Sequence, residues 1–136
     1  MSDLFPVILC VDDDADDLLL ITSALQQAHP SLRADIAYNG VEALAYLEQA
    51  WQSGALPDLV ILDINMPKMN GRETLAALKS DTRFSSLPVV VFTTSTSLAD
   101  HLFCARYGVE LVAKPCSYDG AVSTVQSMLR NVLSNP

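Results

Sequence analysis

The stretch "VILCVDDDADD", residues 7–17, runs from five apolar residues straight into five carboxylates packed in six positions. The run from Val7 to Val11 is short, almost continuously hydrophobic and rich in β-branched side chains, the pattern of a strand buried on both faces. Such a strand belongs in a parallel sheet covered by helices on either side. The acids behind it raise a second question, because a strand ordinarily ends in a turn and not in a group of charges that repel one another.

Working outward from this stretch, similar apolar runs recur around residues 34–38, 59–62, 89–92 and 110–113. Between them lie helical spacings: Leu18, Ile21 and Leu25; Val41, Leu44, Leu47 and Trp51; Leu75 and Leu78; Leu98, Leu102 and Ala105; and Val122, Val125, Leu129 and Val132. Turn residues punctuate the alternation at His29-Pro30-Ser31, Asn39-Gly40, Asn70-Gly71, Leu87-Pro88, Gly108 and Lys114-Pro115. Five strands alternating with five helices predict a doubly wound α/β domain with a parallel sheet. The 136 residues fit a single domain, with a core over about residues 7–133 and no repeat or interdomain linker.

Composition narrows the function. Half the residues are hydrophobic, ample for one core, and the formal net charge is -8. That balance, without any Lys/Arg cluster, disfavours nucleic acid as a direct partner. No apolar stretch approaches the roughly 20 residues of a membrane span, and the N-terminus lacks a secretory signal pattern, so a cytoplasmic location is expected. Cys10, Cys104 and Cys116 are widely spaced and odd in number, which reads as core filling and not as a disulfide or zinc site.

In open α/β sheets the ligand site lies outside the carboxyl ends of the strands, where the strand order reverses. The residues ending the strands are Asp12 and Asp13, Asp63 in "LVILDINMP", Thr93 in "VVVFTTS" and Lys114 in "LVAKP". The opening stretch therefore divides. Asp14 reads as the N-cap of the first helix, with Asp16 and Asp17 in its first turn, where the helix dipole favours negative charge by roughly 0.3–1 kcal/mol each. Asp12, Asp13 and Asp63 instead converge, and three close carboxylates call for a cation; hard oxygen donors point to Mg²⁺. A nucleophilic Asp63 with a metal clamp and the donors Thr93 and Lys114 suits phosphoryl transfer. There is no Walker-type loop, so the phosphate is expected to come from another molecule.

These residues, with the strand-three sequence "LDINMPKMNG" carrying Asp63, Pro67 and Gly71, resemble the receiver domains of two-component response regulators, a flavodoxin-like fold of strand order 2-1-3-4-5. The resemblance covers nearly the whole chain. It implies Asp63 as phosphoacceptor, Asp13 and Asp63 as direct Mg²⁺ ligands, Asp12 as a ligand through water and Asn65 as a ligand through its backbone carbonyl. Thr93 and Lys114 would engage the phosphoryl group, and the Lys114-Pro115 bond would be cis. The donor would be a phosphohistidine on a histidine kinase or phosphotransfer protein, and the chain a self-phosphorylating switch, not a conventional enzyme. Its length and its loops at residues 51–57 and 83–88 resemble stand-alone receivers that accompany phytochrome-type kinases, without an output domain. Leu111 stands where many receivers carry a rotating aromatic, and Cys116 where Phe is common, so the signal needs another route. The expected output is a protein contact through helix four, strand five and helix five, centred on Phe103 and Leu111, made with a kinase, a downstream target or a second copy of the chain as a homodimer. Two other readings compete. A pseudo-receiver without phosphotransfer would ordinarily lack one of the five key residues. A haloacid-dehalogenase-type phosphatase needs an Asp two positions after its nucleophile, where this chain has Asn65.

Overall fold

The structure is a computed structural model that describes residues 6–64, 66, 69–94 and 97–133. Among them the chain alternates β1 (Val7–Val11), α1 (Ala15–Ala28), β2 (Arg33–Ala37), α2 (Gly40–Ser53), β3 (Leu59–Asp63), α3 (Gly71–Ser80), β4 (Val89–Thr93), α4 (Leu98–Arg106), β5 (Glu110–Ala113) and α5 (Tyr118–Leu133). All neighbouring strands are parallel, in the order β2-β1-β3-β4-β5. The sequence expectation of a doubly wound sheet holds. β2 lies one residue earlier than its hydrophobicity suggested, because as an edge strand it buries only Ala37 fully and pairs from Arg33.

Alternation along the strands feeds two cores. Leu9, Val11, Val60, Leu62, Val89 and Val91 face one side, against Ala43 and Leu47 of α2, Leu75 and Leu78 of α3 and Cys104 of α4. Ile8, Cys10, Leu59, Ile61, Val90 and Phe92 face the other, against Leu18, Ile21 and Leu25 of α1 and Val125, Met128 and Leu129 of α5. Cys10 and Cys104 are core fillers as expected, and burial, aided by the charges of Asp35 and Asp12, pushes the Cys10 thiol up to about 12. Cys116 departs from the expectation: it is exposed, because it follows the last strand on the loop leading to α5.

Helix starts are set by local chemistry. Asp14 caps α1, accepting from the backbone N–H groups of Asp16 and Asp17; Asn39 caps α2, and Ser97 caps α4. At α3 a reciprocal capping box joins Asn70 and Glu73. α4 forms over its expected helical spacing, yet its leucines do not face the core. Leu98 and Leu102 are 72% and 61% exposed, and the side turned inward carries Asp100, Cys104 and the half-buried Phe103 and Tyr107. Asp100 is tolerated there because Arg72 of α3 donates to its carboxylate, with the Arg72 guanidinium 5.7 Å over the Phe103 ring.

Gly71 fixes how α3 meets the sheet. Its N–H donates to the Ile64 carbonyl at 3.0 Å, and a Cβ there would sit 2.3 Å from the Asp63 carbonyl oxygen and 2.5 Å from Ile64 Cα. Backbone, not a yielding side-chain tip, occupies that space. Gly71→Ala is therefore expected to destabilise the protein by about 1–3 kcal/mol, as overpacking does elsewhere. Thermal unfolding of the variant checks this, and a melting temperature equal to the parent's would contradict the close approach.

Candidate functional site

β1 and β3 are adjacent, yet the chain leaves β1 toward β2 on one side and returns to β3 on the other. The reversal opens a crevice at their carboxyl ends. Asp12 follows β1 directly, Asp63 closes β3, Thr93 closes β4, and Lys114 follows β5. One edge of the sheet thus gathers residues spread over more than a hundred positions of sequence.

The carboxylates converge as predicted. Asp12, Asp13 and Asp63 each present an oxygen within 4.8 Å of the other two; Asp12 and Asp63 are buried and Asp13 is exposed. The Asp12 N–H donates to the Ala37 carbonyl at 3.1 Å, continuing the β1–β2 pairing, and one Asp12 carboxylate oxygen accepts from the Asp14 N–H at 3.0 Å. This holds Asp12 in place while leaving its other oxygen for the crevice. Three such oxygens, with burial that makes unbalanced charge expensive, fit a hard divalent cation better than a soft one. Asn65, the further ligand implied by the resemblance, lies outside the described residues.

Lys114 supplies the positive charge among these acids. Its Nζ lies 2.8 Å from Asp12 Oδ2, 2.7 Å from Asp17 Oδ2 and 3.5 Å from Asp63 Oδ1. Burial alone favours the neutral amine, but the hydrogen bonds to Asp12 and Asp17 and the Asp63 charge outweigh it and hold the ammonium pKa above its ordinary value. Thr93 is fully buried one residue beyond Phe92, the partner of Asp63 in the β3–β4 register. The Thr93 carbonyl accepts from the Lys114 N–H at 2.9 Å.

That last bond bears on the Lys114-Pro115 peptide, expected to be cis. It is trans: no cis peptide bond occurs among the described residues. The β4–β5 ladder extends one bond past Ala113 and delivers the lysine to the crevice unaided, so the ordinary trans preference stands. Asp17 is the residue that sequence reasoning missed. It lies in the first turn of α1, as expected of a helix-dipole charge, but its carboxylate also binds Lys114 across 97 positions of sequence. No local pattern signals a contact of that range. The expected output residues Phe103 and Leu111 are half-buried against the core, while Leu98 and Leu102 stand exposed on the neighbouring face of α4.

Comparison with known proteins agrees with the geometry. Residues 8–126 match the response regulator receiver domain family. Response regulator Rcp1 of Synechocystis sp. is 37% identical over 91 residues, 65% of this chain and 62% of Rcp1, so that alignment spans less than two thirds of the relative. Protein PilH of Pseudomonas aeruginosa is 32% identical over 124 residues, 90% of this chain and 96% of PilH. The crystal structure of the phosphorylated cyanobacterial phytochrome response regulator RcpA superposes with a TM-score of 0.86 at 32% identity, covering 96% of this chain and 95% of that one. The Mn²⁺-bound form of Rcp1 gives 0.83 at 30% identity, covering 96% of each. The family match runs from β1 into α5, and the RcpA fold superposes over 96% of the chain: the chain belongs to the response regulator receiver domain family of two-component signalling.

Proposed function

We propose that Asp63 accepts a phosphoryl group from a phosphohistidine on a histidine kinase or phosphotransfer protein, and that the resulting acyl phosphate changes the protein contacts of the chain. The observation that carries this is the buried Asp63 carboxylate at the end of β3, gathered with Asp12, Asp13 and Lys114 in one crevice. A carboxylate oxygen of Asp63 attacks phosphorus, the P–N bond breaks, and the imidazole keeps its electron pair and takes a proton from solvent. Lys114 holds a positive charge beside the site of attack, and the Thr93 hydroxyl is the donor at the end of β4. Asp12, Asp13 and Asp63 would hold Mg²⁺, with the Asn65 carbonyl. When bound, the ion supplies neutralisation of charge on the phosphoryl oxygens. The phosphorylated RcpA and Mn²⁺-bound Rcp1 structures support the reading by similarity.

Incubation with acetyl phosphate and Mg²⁺ should add the mass of one phosphoryl group to the parent and none to Asp63→Asn. Equal modification of the two would sink the assignment. Mg²⁺ should also raise the melting temperature, because it binds the folded crevice and relieves repulsion there; at a hundredfold excess over Kd the gain is about 2.7 kcal/mol. Asp13→Ala should lose most of that gain while melting no lower than the parent without metal. A metal titration that leaves the parent's melting unchanged would remove the ion from the scheme.

The surface that reads the change is α4 with β5 and α5, the elements that follow Thr93 and Lys114. Its exposed apolar residues are Leu98 and Leu102, and its partly buried ones include Phe103 and Leu111. Phe103 and Leu111, the centre expected from sequence, are partly buried and adjoin this exposed pair in the same elements. Leu102→Asp, at an exposed position that folding tolerates, should weaken kinase binding or self-association in the beryllofluoride-treated protein by about tenfold, the size expected of a central apolar contact. Sedimentation and pull-down measure this, and unchanged binding in both would move the output elsewhere.

A further inference from the structure

We propose that Asp17 is a positioning residue of the phosphoacceptor site, which binds the Lys114 ammonium in competition with a phosphoryl group on Asp63 and so sets how tightly that group is held. The inference rests on Asp63 being the phosphoacceptor. An ammonium has three protons to donate. Asp17 accepts one at 2.7 Å in a hydrogen bond, Asp12 lies in ion-pair contact at 2.8 Å, and Asp63 at 3.5 Å lies beyond a good hydrogen bond. Lys114 therefore gives its best geometry to carboxylates other than the reactive one.

The two acceptors are not equivalent. Asp12 belongs to the three-carboxylate group, is anchored by the Asp14 N–H and has a side chain only 11% exposed. Asp17 lies outside that group, and its side chain is 39% exposed. Water can replace Lys114 on Asp17 at little cost, so Asp17 is the partner that gives way when a phosphoryl oxygen attracts the ammonium. Its aim is nevertheless fixed. The Asp14 cap binds the Asp17 N–H at 3.1 Å, and the next residue, Leu18, is buried in the core, which sets the roll of α1 and directs position 17 toward Lys114. Asp16, one residue earlier, carries the same charge in the same turn and is exposed. It provides an internal control that separates contact with Lys114 from the general effect of negative charge.

The experiment titrates Mg²⁺-loaded protein with beryllofluoride by calorimetry in the parent, Asp17→Asn, Asp17→Glu and Asp16→Asn, and follows the Lys114 ammonium by ¹H–¹⁵N NMR in metal-free samples. Asp17→Asn should bind beryllofluoride about five-fold more tightly, the change in equilibrium that loss of one partly exposed ion pair brings. Asp16→Asn should match the parent, and Asp17→Glu should stay closer to the parent than Asp17→Asn does. The Lys114 ammonium signal should be protected from exchange in the metal-free parent and lose protection in Asp17→Asn. Unchanged or weaker binding by Asp17→Asn, an equal gain in Asp16→Asn, or an ammonium signal indifferent to Asp17 would each overturn the role given to Asp17. A parent that binds no beryllofluoride would overturn the reading of Asp63 itself, and this inference with it.

Discussion

The Lys114 ammonium reaches carboxylates at the ends of two strands and in the first turn of a helix, and the geometry of the crevice follows from that one charge. Asp12 and Asp63 are buried next to each other, and Asp13 adds a third oxygen within reach of both. Without a nearby cation, such acids repel one another. Lys114 offsets that repulsion in part only, since a single positive charge faces more than one negative. The remaining imbalance suits the crevice to a divalent ion.

The sheet supplies the precision. Thr93 and Lys114 are tied by a backbone hydrogen bond that continues the β4–β5 ladder, and Asp12 is tied to Ala37 in the same way on the other side of the sheet. Gly71 brings the start of α3 against the backbone of Asp63 and Ile64, and Arg72, the next residue, reaches across to Asp100 in the first turn of α4. The strand that carries Asp63 is thus linked to the helix that follows Thr93 by two short steps, one steric and one ionic. This route does not pass through Leu111, where the resemblance would have placed an aromatic.

Much of this was legible in the sequence. β1, β3 and β4 are buried on both faces, so they appear as short continuous apolar runs rich in β-branched residues, and each ends in or directly before a residue of the site. The edge strands carried a weaker signal, because β2 and β5 are only partly covered and their polar residues blur the boundaries. The helix α4 was legible, but the face it turns inward was not. The spacing of Leu98, Leu102 and Ala105 suits a core face, but the helix buries Asp100, and hydropathy gives no hint that Arg72, 28 positions earlier, will neutralise it. The Asp17–Lys114 contact and the trans Lys114-Pro115 bond likewise depend on tertiary register, which no window of neighbouring residues contains.

The interior of α4 has a further consequence. Its fully buried side chains are a carboxylate and a thiol, and two of its leucines lie in solvent. Lifting such a helix from the sheet would expose the half-buried Phe103 and Tyr107, which pack against the core. The Arg72–Asp100 attraction is by contrast electrostatic and half open to water on the Arg72 side, where dissolved ions weaken it. The seating of α4 therefore combines an apolar contact with an ionic one, and dissolved ions loosen only the second.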